Sequence, residues 1–219
     1  MTSRLERLSR QVSRCRQCDR LVCYQNKQKN KHPLHHCAPV PQWGASRSRL
    51  LIVGLAPGLH GAGRTGKGFV GDASGAFLFQ ALHRFGFATS SKPEDAALLQ
   101  TAITNIVKCL PPNNRPSGSE KSNCAQFLRE ELEIFAPGAR AKPRVILCLG
   151  SDAFNAVQSL MGLKRHAFSH GQAIALRPNY FLFSSYHPSR LNVNTRRLTQ
   201  DMFFDVFADI CRKLSDIDD

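Results

Sequence analysis

Four short stretches of the chain are apolar almost throughout: Leu50–Ala56, Ala102–Lys108, Arg144–Gly150 and Tyr180–Tyr186. A strand with polar residues on neither face is one covered by helices on both sides, as in a parallel sheet. Between these runs the apolar residues recur at helical spacing, predicting helices over Ser74–Phe85, Glu120–Phe135, Ser151–Met161 and Arg196–Leu214. Leu5, Leu8 and Val12 add a short helix over residues 3–14, and Gln172–Leu176 is a candidate extra strand. Strand and helix therefore alternate. That pattern predicts an α/β fold: a three-layer α/β/α sandwich around a central, mostly parallel four-stranded sheet. The polar stretch from Tyr24 to Gly44 has no such period and reads as a loop insertion. The acidic end, Ser215–Asp219, reads as a frayed tail.

Length narrows this to one domain spanning 1–219, since 219 residues suit one good-sized core. Charge changes the picture more. The chain carries a formal net charge of +14. Residues 1–49 hold eleven Lys/Arg against two acids, forming a basic N-terminal segment. Such a balance favours a polyanionic partner, nucleic acid first. No apolar run reaches the length of a membrane span, and MTSRLERLSRQ lacks the apolar centre of a secretory signal. A cytoplasmic protein, monomeric by default, is the expectation.

Eight cysteines in such a chain point to metal or catalysis rather than disulfides. Cys15 and Cys18 form a CxxC, which fits zinc, an iron–sulfur cluster or a redox pair. Cys109 ends a predicted strand and Cys124 lies in the next helix, so the fold can bring these two together. With Cys15 and Cys18 they would close a four-thiolate site. Cys148 and Cys211 read as buried apolar residues. Cys23 and Cys37 stand near His32, His35 and His36, leaving a second metal site open.

The loop after the first strand is rich in glycine. Gly61, Gly63 and Gly66 satisfy GxGxxG, and Gly61 to Lys67 satisfies most of a phosphate-binding loop. Both patterns fail in context. A dinucleotide site needs its first glycine at the strand end with the helix opening at once, yet no helix is predicted before about Ser74. Gly68 stands where the phosphate loop needs a hydroxyl. Other chemistry gathers at strand ends instead. His187, followed by Pro188, closes the last run, and Asn105 lies on the second, where an amide can pair with a base edge. Phe69 offers a stacking face and Asp72 an anion. A basic, metal-bearing nucleic-acid-binding module without catalysis would explain the charge and the thiols. It gives no reason for His187, Asn105 and Asp72 at strand ends.

The segments Gly54–Gly75, Thr104–Arg115 and His187–Asn192 together resemble the motifs of the uracil-DNA glycosylase superfamily, most of all its type-5 family. The resemblance runs from about Cys15 to the end and departs over residues 24–44. It implies an enzyme that flips uracil out of double- or single-stranded DNA and hydrolyses its N-glycosidic bond. Other deaminated bases such as hypoxanthine would follow. It implies [4Fe-4S] ligation by Cys15, Cys18, Cys109 and Cys124. It implies base binding by Gly54, Ala56, Gly58, Phe69, Asn105 and His187, with Asp72 and His187 catalytic. Leu191 falls at the position of an apolar wedge, with His60, Arg64, Asn114, Arg115, Ser189, Arg190 and Asn192 along the DNA. Ala56 stands where many members carry a polar residue that positions water, and Gly58 where strict uracil enzymes place a tyrosine.

Overall fold

The computed structural model describes residues 3–45 and 47–215; the acidic tail expected beyond Ser215 lies outside them. The four apolar runs become β2 (Leu50–Gly54), β3 (Thr101–Asn105), β4 (Arg144–Leu149) and β6 (Tyr180–Ser185). They pair in parallel in the order β3-β2-β4-β6. Two further strands cap the edges antiparallel, β1 (Trp43–Gly44) against β3 and β5 (Ala173–Arg177) against β6. The sheet therefore has six strands rather than four. The difference has a simple cause. β1 is too short to carry a pattern, while β5 is the extra strand that Gln172–Leu176 offered, left out of the four because it alternates exposed and half-buried residues at the edge instead of being apolar throughout.

Alternation along the central strands divides the core in two. Leu50, Ile52, Val145 and Leu147 face one layer, packing on α4 (Ala73–Arg84) and α8 (Gln200–Ser215). Leu51, Val53, Ile146 and Cys148 face the other, packing on α1 (Arg4–Arg14), α5 (Gly118–Phe135) and α6 (Ser151–Leu160). Successive side chains of a strand point to opposite faces, so one strand builds both layers. Full capping boxes start α1, with Ser3 and Glu6, and α5, with Ser117 and Glu120.

The stretch expected as a loop holds most of a helix, α2 (Asp19–Lys31). Its buried side chains are Leu21, Gln25 and Gln28, so polar residues pack where a period of apolar ones would have announced it. Gln25 donates to the Cys37 carbonyl and accepts from the Leu110 amide, so its burial leaves no polar group unpaired. Two short helices also break expected loops. They are α3 (Ala62–Thr65), ended by left-handed Gly66, and α7 (Arg190–Asn194).

Candidate active site

The order β3-β2-β4-β6 places β2 where the chain reverses its direction of growth across the sheet. Crevices open outside the carboxyl ends of strands at such a point. A cavity of about 290 Å³ lies there, lined from three motifs by Ala56, Phe69, Asp72, Asn105, Asn114 and His187 among others. Gly58 and Ser189 also face it. Leu55, Ala62 and Ser74 complete the wall; they carried no signal beyond lying beside the motif residues.

Each group is held by the backbone around it. Phe69 sits at φ +59°, an uncommon left-handed conformation for a bulky residue. The first turn of α4 closes on it: a Cβ on Gly75 would lie 2.0 Å from the Phe69 carbonyl oxygen, so only glycine fits there. Gly54 does not line the cavity but makes its floor possible. A Cβ there would meet the Asn105 Oδ1 at 2.5 Å and the Phe69 ring at 2.9 Å. Asp72 caps α4, its Oδ1 accepting the Gly75 amide at 2.9 Å. Its other oxygen stays on the cavity side, where a Cβ on Gly58 would make an ordinary 3.5 Å contact. Gly58 therefore leaves open a space that a side chain could enter.

His187 stands two residues past the end of β6, its ring 5.6 Å from that of Phe69. Burial pushes its pKa down to about 4, against a smaller opposing pull from Asp72. At neutral pH the imidazole is uncharged. Asn192 donates to the His187 carbonyl at 2.8 Å and so braces the turn from α7. Leu191, on the same helix, is 72% exposed, and Arg190 beside it is exposed. Arg115 and Asn114 are exposed beyond β3, and Asn113 and Asn114 are both left-handed, at φ +54° and +55°. His60 is exposed, while Arg64 bonds the carbonyls of His60 and Gly71 and ties the Gly-rich loop to itself. A second cavity shares His187 and Leu55 and extends over Gly150, Ser151 and Arg197.

The four cysteines of the expected cluster come together behind this crevice. Cys15 ends α1, Cys18 starts α2, Cys109 follows β3 and Cys124 lies in α5, and all four line one space. Burial first, then the other three sulfurs, push the Cys109 thiol up to about 12. Burial likewise raises Cys124 to about 11, against the pull of nearby Lys108. The Lys108 amide points at the Cys124 sulfur, 3.2 Å away, and the Asn123 amide at Cys18, 3.5 Å away. Four soft donors around one space, two of them buried thiols that resist ionising and two with N–H groups aimed at their sulfurs, suit an iron–sulfur group that would stabilise the thiolates. Among the described residues no three His, Cys, Asp or Glu side chains converge to hold a single metal ion. Cys23 is exposed and Cys37 buried.

Lys108 ties the two regions together. It is 1% exposed and paired with Glu131, also 1% exposed, at 2.7 Å. Its ammonium also donates to the Asn105 carbonyl at 2.8 Å and to Thr104. No sequence argument singled it out, although a lysine within an apolar run is itself a signal of a buried partner.

An α/β sandwich with stacking, amide, imidazole and carboxylate groups around one crevice is a small-molecule or base-binding architecture. Residues 41–211 match the model of the uracil DNA glycosylase superfamily. A type-5 uracil-DNA glycosylase of Pyrobaculum aerophilum is 40% identical over 88% of this chain and 85% of its own. One from Thermus thermophilus is 39% identical over 92% and 94%. A type-4 enzyme of Archaeoglobus fulgidus is 32% identical over 73% and 66%. The fold is shared with the solved structure of wild-type Pedobacter heparinus SMUG2, at a TM-score of 0.50 and 16% identity over 78% of this chain and 77% of that one. The chain belongs to the uracil DNA glycosylase superfamily, among the type-5 enzymes. Among the described residues no helix is long and apolar enough to cross a membrane.

Proposed function

We propose that this protein is a monofunctional uracil-DNA glycosylase that hydrolyses the bond between base and sugar and leaves an abasic site. The observation that carries the proposal is the meeting of Phe69, Asn105, His187 and Asp72 around one base-sized cavity. The basic surface captures the DNA backbone, and an apolar wedge at Leu191 fills the stack as the nucleotide turns out. Phe69 stacks on the extruded base and Asn105 pairs with its pyrimidine edge over the floor left by Gly54. Ser189, Arg190 and Asn192 border the strand on one side, His60, Arg64, Asn114 and Arg115 on the other.

As the bond to C1′ breaks, the base leaves with the electron pair and the sugar becomes cationic. His187, neutral at physiological pH, donates a hydrogen bond to the base oxygen that gains charge. The Asp72 oxygen not used in capping α4 faces the cation and the incoming water. That water supplies hydroxide to C1′, and its proton leaves with the base. Ala56 cannot position water, which leaves the carboxylate work to Asp72. Gly58 leaves room beside the base, which supports acceptance of larger deaminated bases such as hypoxanthine. A [4Fe-4S] cluster held by Cys15, Cys18, Cys109 and Cys124 would tie α1, α2, β3 and α5 into one unit, supplying structure and no step of the reaction.

Incubation with a uracil-containing duplex, then alkali to cut abasic sites, tests the activity. Strand scission is expected; intact strands would favour a binding module without catalysis. A parallel duplex with hypoxanthine tests the open side of the pocket.

A further inference from the structure

Among the described residues three large apolar side chains are exposed: Leu34, Leu99 and Leu191. Leu99 precedes β3, at the end of the sheet away from the crevice. Leu191 stands on α7, beside Ser189 of the pocket wall. Leu34, 97% exposed, tips the turn that follows α2, and that turn is docked on the other wall. The His36 and Cys37 amides donate to the Arg64 and Gly63 carbonyls at 2.9 and 2.8 Å, one residue beyond pocket-lining Ala62. The turn is thus fixed to the Gly-rich loop. Lys29 donates to the His35 carbonyl and holds it from below.

Beneath Leu34 three imidazoles gather. His32 and His35 stack at 4.6 Å, and the His60 ring stands 6.5 and 6.3 Å from them. The His35 Nδ1 is buried without a hydrogen-bond partner. Parallel stacked rings aim their lone pairs side by side rather than at one point, and no metal-holding group of three is found among the described residues. The neighbourhood is cationic instead: burial first, then His32, His60, Arg64 and Lys29, lower the proton affinity of His35. Lys27 and Lys31 lie on the same last turns of α2. Clustered cations and imidazoles beneath one exposed leucine, beside a pocket for an extruded nucleotide, have the chemistry of a DNA contact. The apolar tip suits a groove and the ring of cations suits phosphates.

We propose that the turn His32–His36 is a second DNA-contacting element, which places Leu34 in the duplex groove beside the lesion and brings the imidazoles of His32, His35 and His60 to a backbone phosphate. This rests on the glycosylase function proposed above and adds a partner surface on the Gly-rich loop, separate from Leu191 on α7. A phosphate beside the stacked rings would raise the proton affinity of His35, which burial and its charged neighbours hold down. Binding then takes up a proton, so affinity increases as pH falls through the histidine range.

The test uses the full-length protein and fluorescence anisotropy with a duplex carrying a stable abasic analogue, and the matching single strand. Leu34→Ala should weaken duplex binding about tenfold and single-strand binding less than about twofold, since an apolar wedge acts where there is stacked duplex to enter. Between about pH 8 and about pH 6 wild-type duplex affinity should increase several-fold, and His32→Gln/His35→Gln should flatten that slope. An unchanged duplex Kd in Leu34→Ala, equal losses on both substrates, or an undiminished pH slope in the double variant would overturn the proposal. Excision of uracil by the wild type under the same conditions reports on the glycosylase activity separately. An active wild type with an indifferent Leu34→Ala removes only the turn.

Discussion

Asp72 does two jobs with two oxygens, and substitutions can separate them. Oδ1 caps α4 and the other oxygen looks into the cavity. Asp72→Asn keeps an acceptor for the Gly75 amide and removes the charge, so single-turnover excision should collapse while the melting temperature stays near wild type. Asp72→Ala should lose the same activity and also about 1 kcal/mol of stability with the cap, measured by urea denaturation. His187 makes a different prediction. Losing an oxyanion-type donor costs roughly 10²–10³ in rate, so His187→Ala should slow single-turnover excision by that factor while DNA still binds. Its pKa, depressed to about 4 in the fold, also bears on stability. The unfolded chain binds a proton here near pH 6.5 and the folded chain does not. Stability from this residue is therefore complete above about pH 6.5 and is lost as pH falls toward about pH 4. His187→Asn should show a shallower loss over that window in denaturant titrations. The placement of His187 was legible because it is a polar group just past an apolar run, and that of Asp72 because it stands in the Gly-rich loop ahead of a predicted helix. Ala62 and Ser74 were not, because nothing in their local pattern distinguishes a wall from a loop, and Lys108 was passed over although a lysine in an apolar run signals a buried partner.

At the level of elements the sequence was clearest where burial is one-sided or complete. β2, β3, β4 and β6 are apolar throughout and were found within a few residues. α2 escaped because glutamines pack its inner face, and β1 because two residues carry no period. The joint between β3 and α5 carries the clearest prediction. Lys108 and Glu131 are buried together, and the lysine also holds the backbone of Asn105. Removing one member leaves the other charge stranded, at about 3–5 kcal/mol. Lys108→Met should destabilise by that order, and Lys108→Met/Glu131→Gln should recover much of it, both read by denaturant unfolding. The thiols give a spectroscopic check of the same region. Anaerobically purified protein should be brown with broad visible absorption, and Cys109→Ser should lose the colour. A colourless wild type containing zinc would contradict the cluster.

The molecule as a whole is strongly basic, at +14, with the excess concentrated in its first 49 residues. Those residues supply two of the four thiols, α1 and α2, and the turn that carries Leu34, so the charged segment is built into the fold. Their charge was plain in the sequence; their placement against the Gly-rich loop was not, since backbone hydrogen bonds from His36 and Cys37 make the contact and leave no pattern in side chains. The strand order has one more consequence, in time rather than space. The thiol set is complete once the chain has reached Cys124, but the crevice needs β6 and His187, more than sixty residues later. A chain emerging from the ribosome therefore holds its four gathered thiols and its basic segment well before it has the imidazole proposed to stabilise the leaving base.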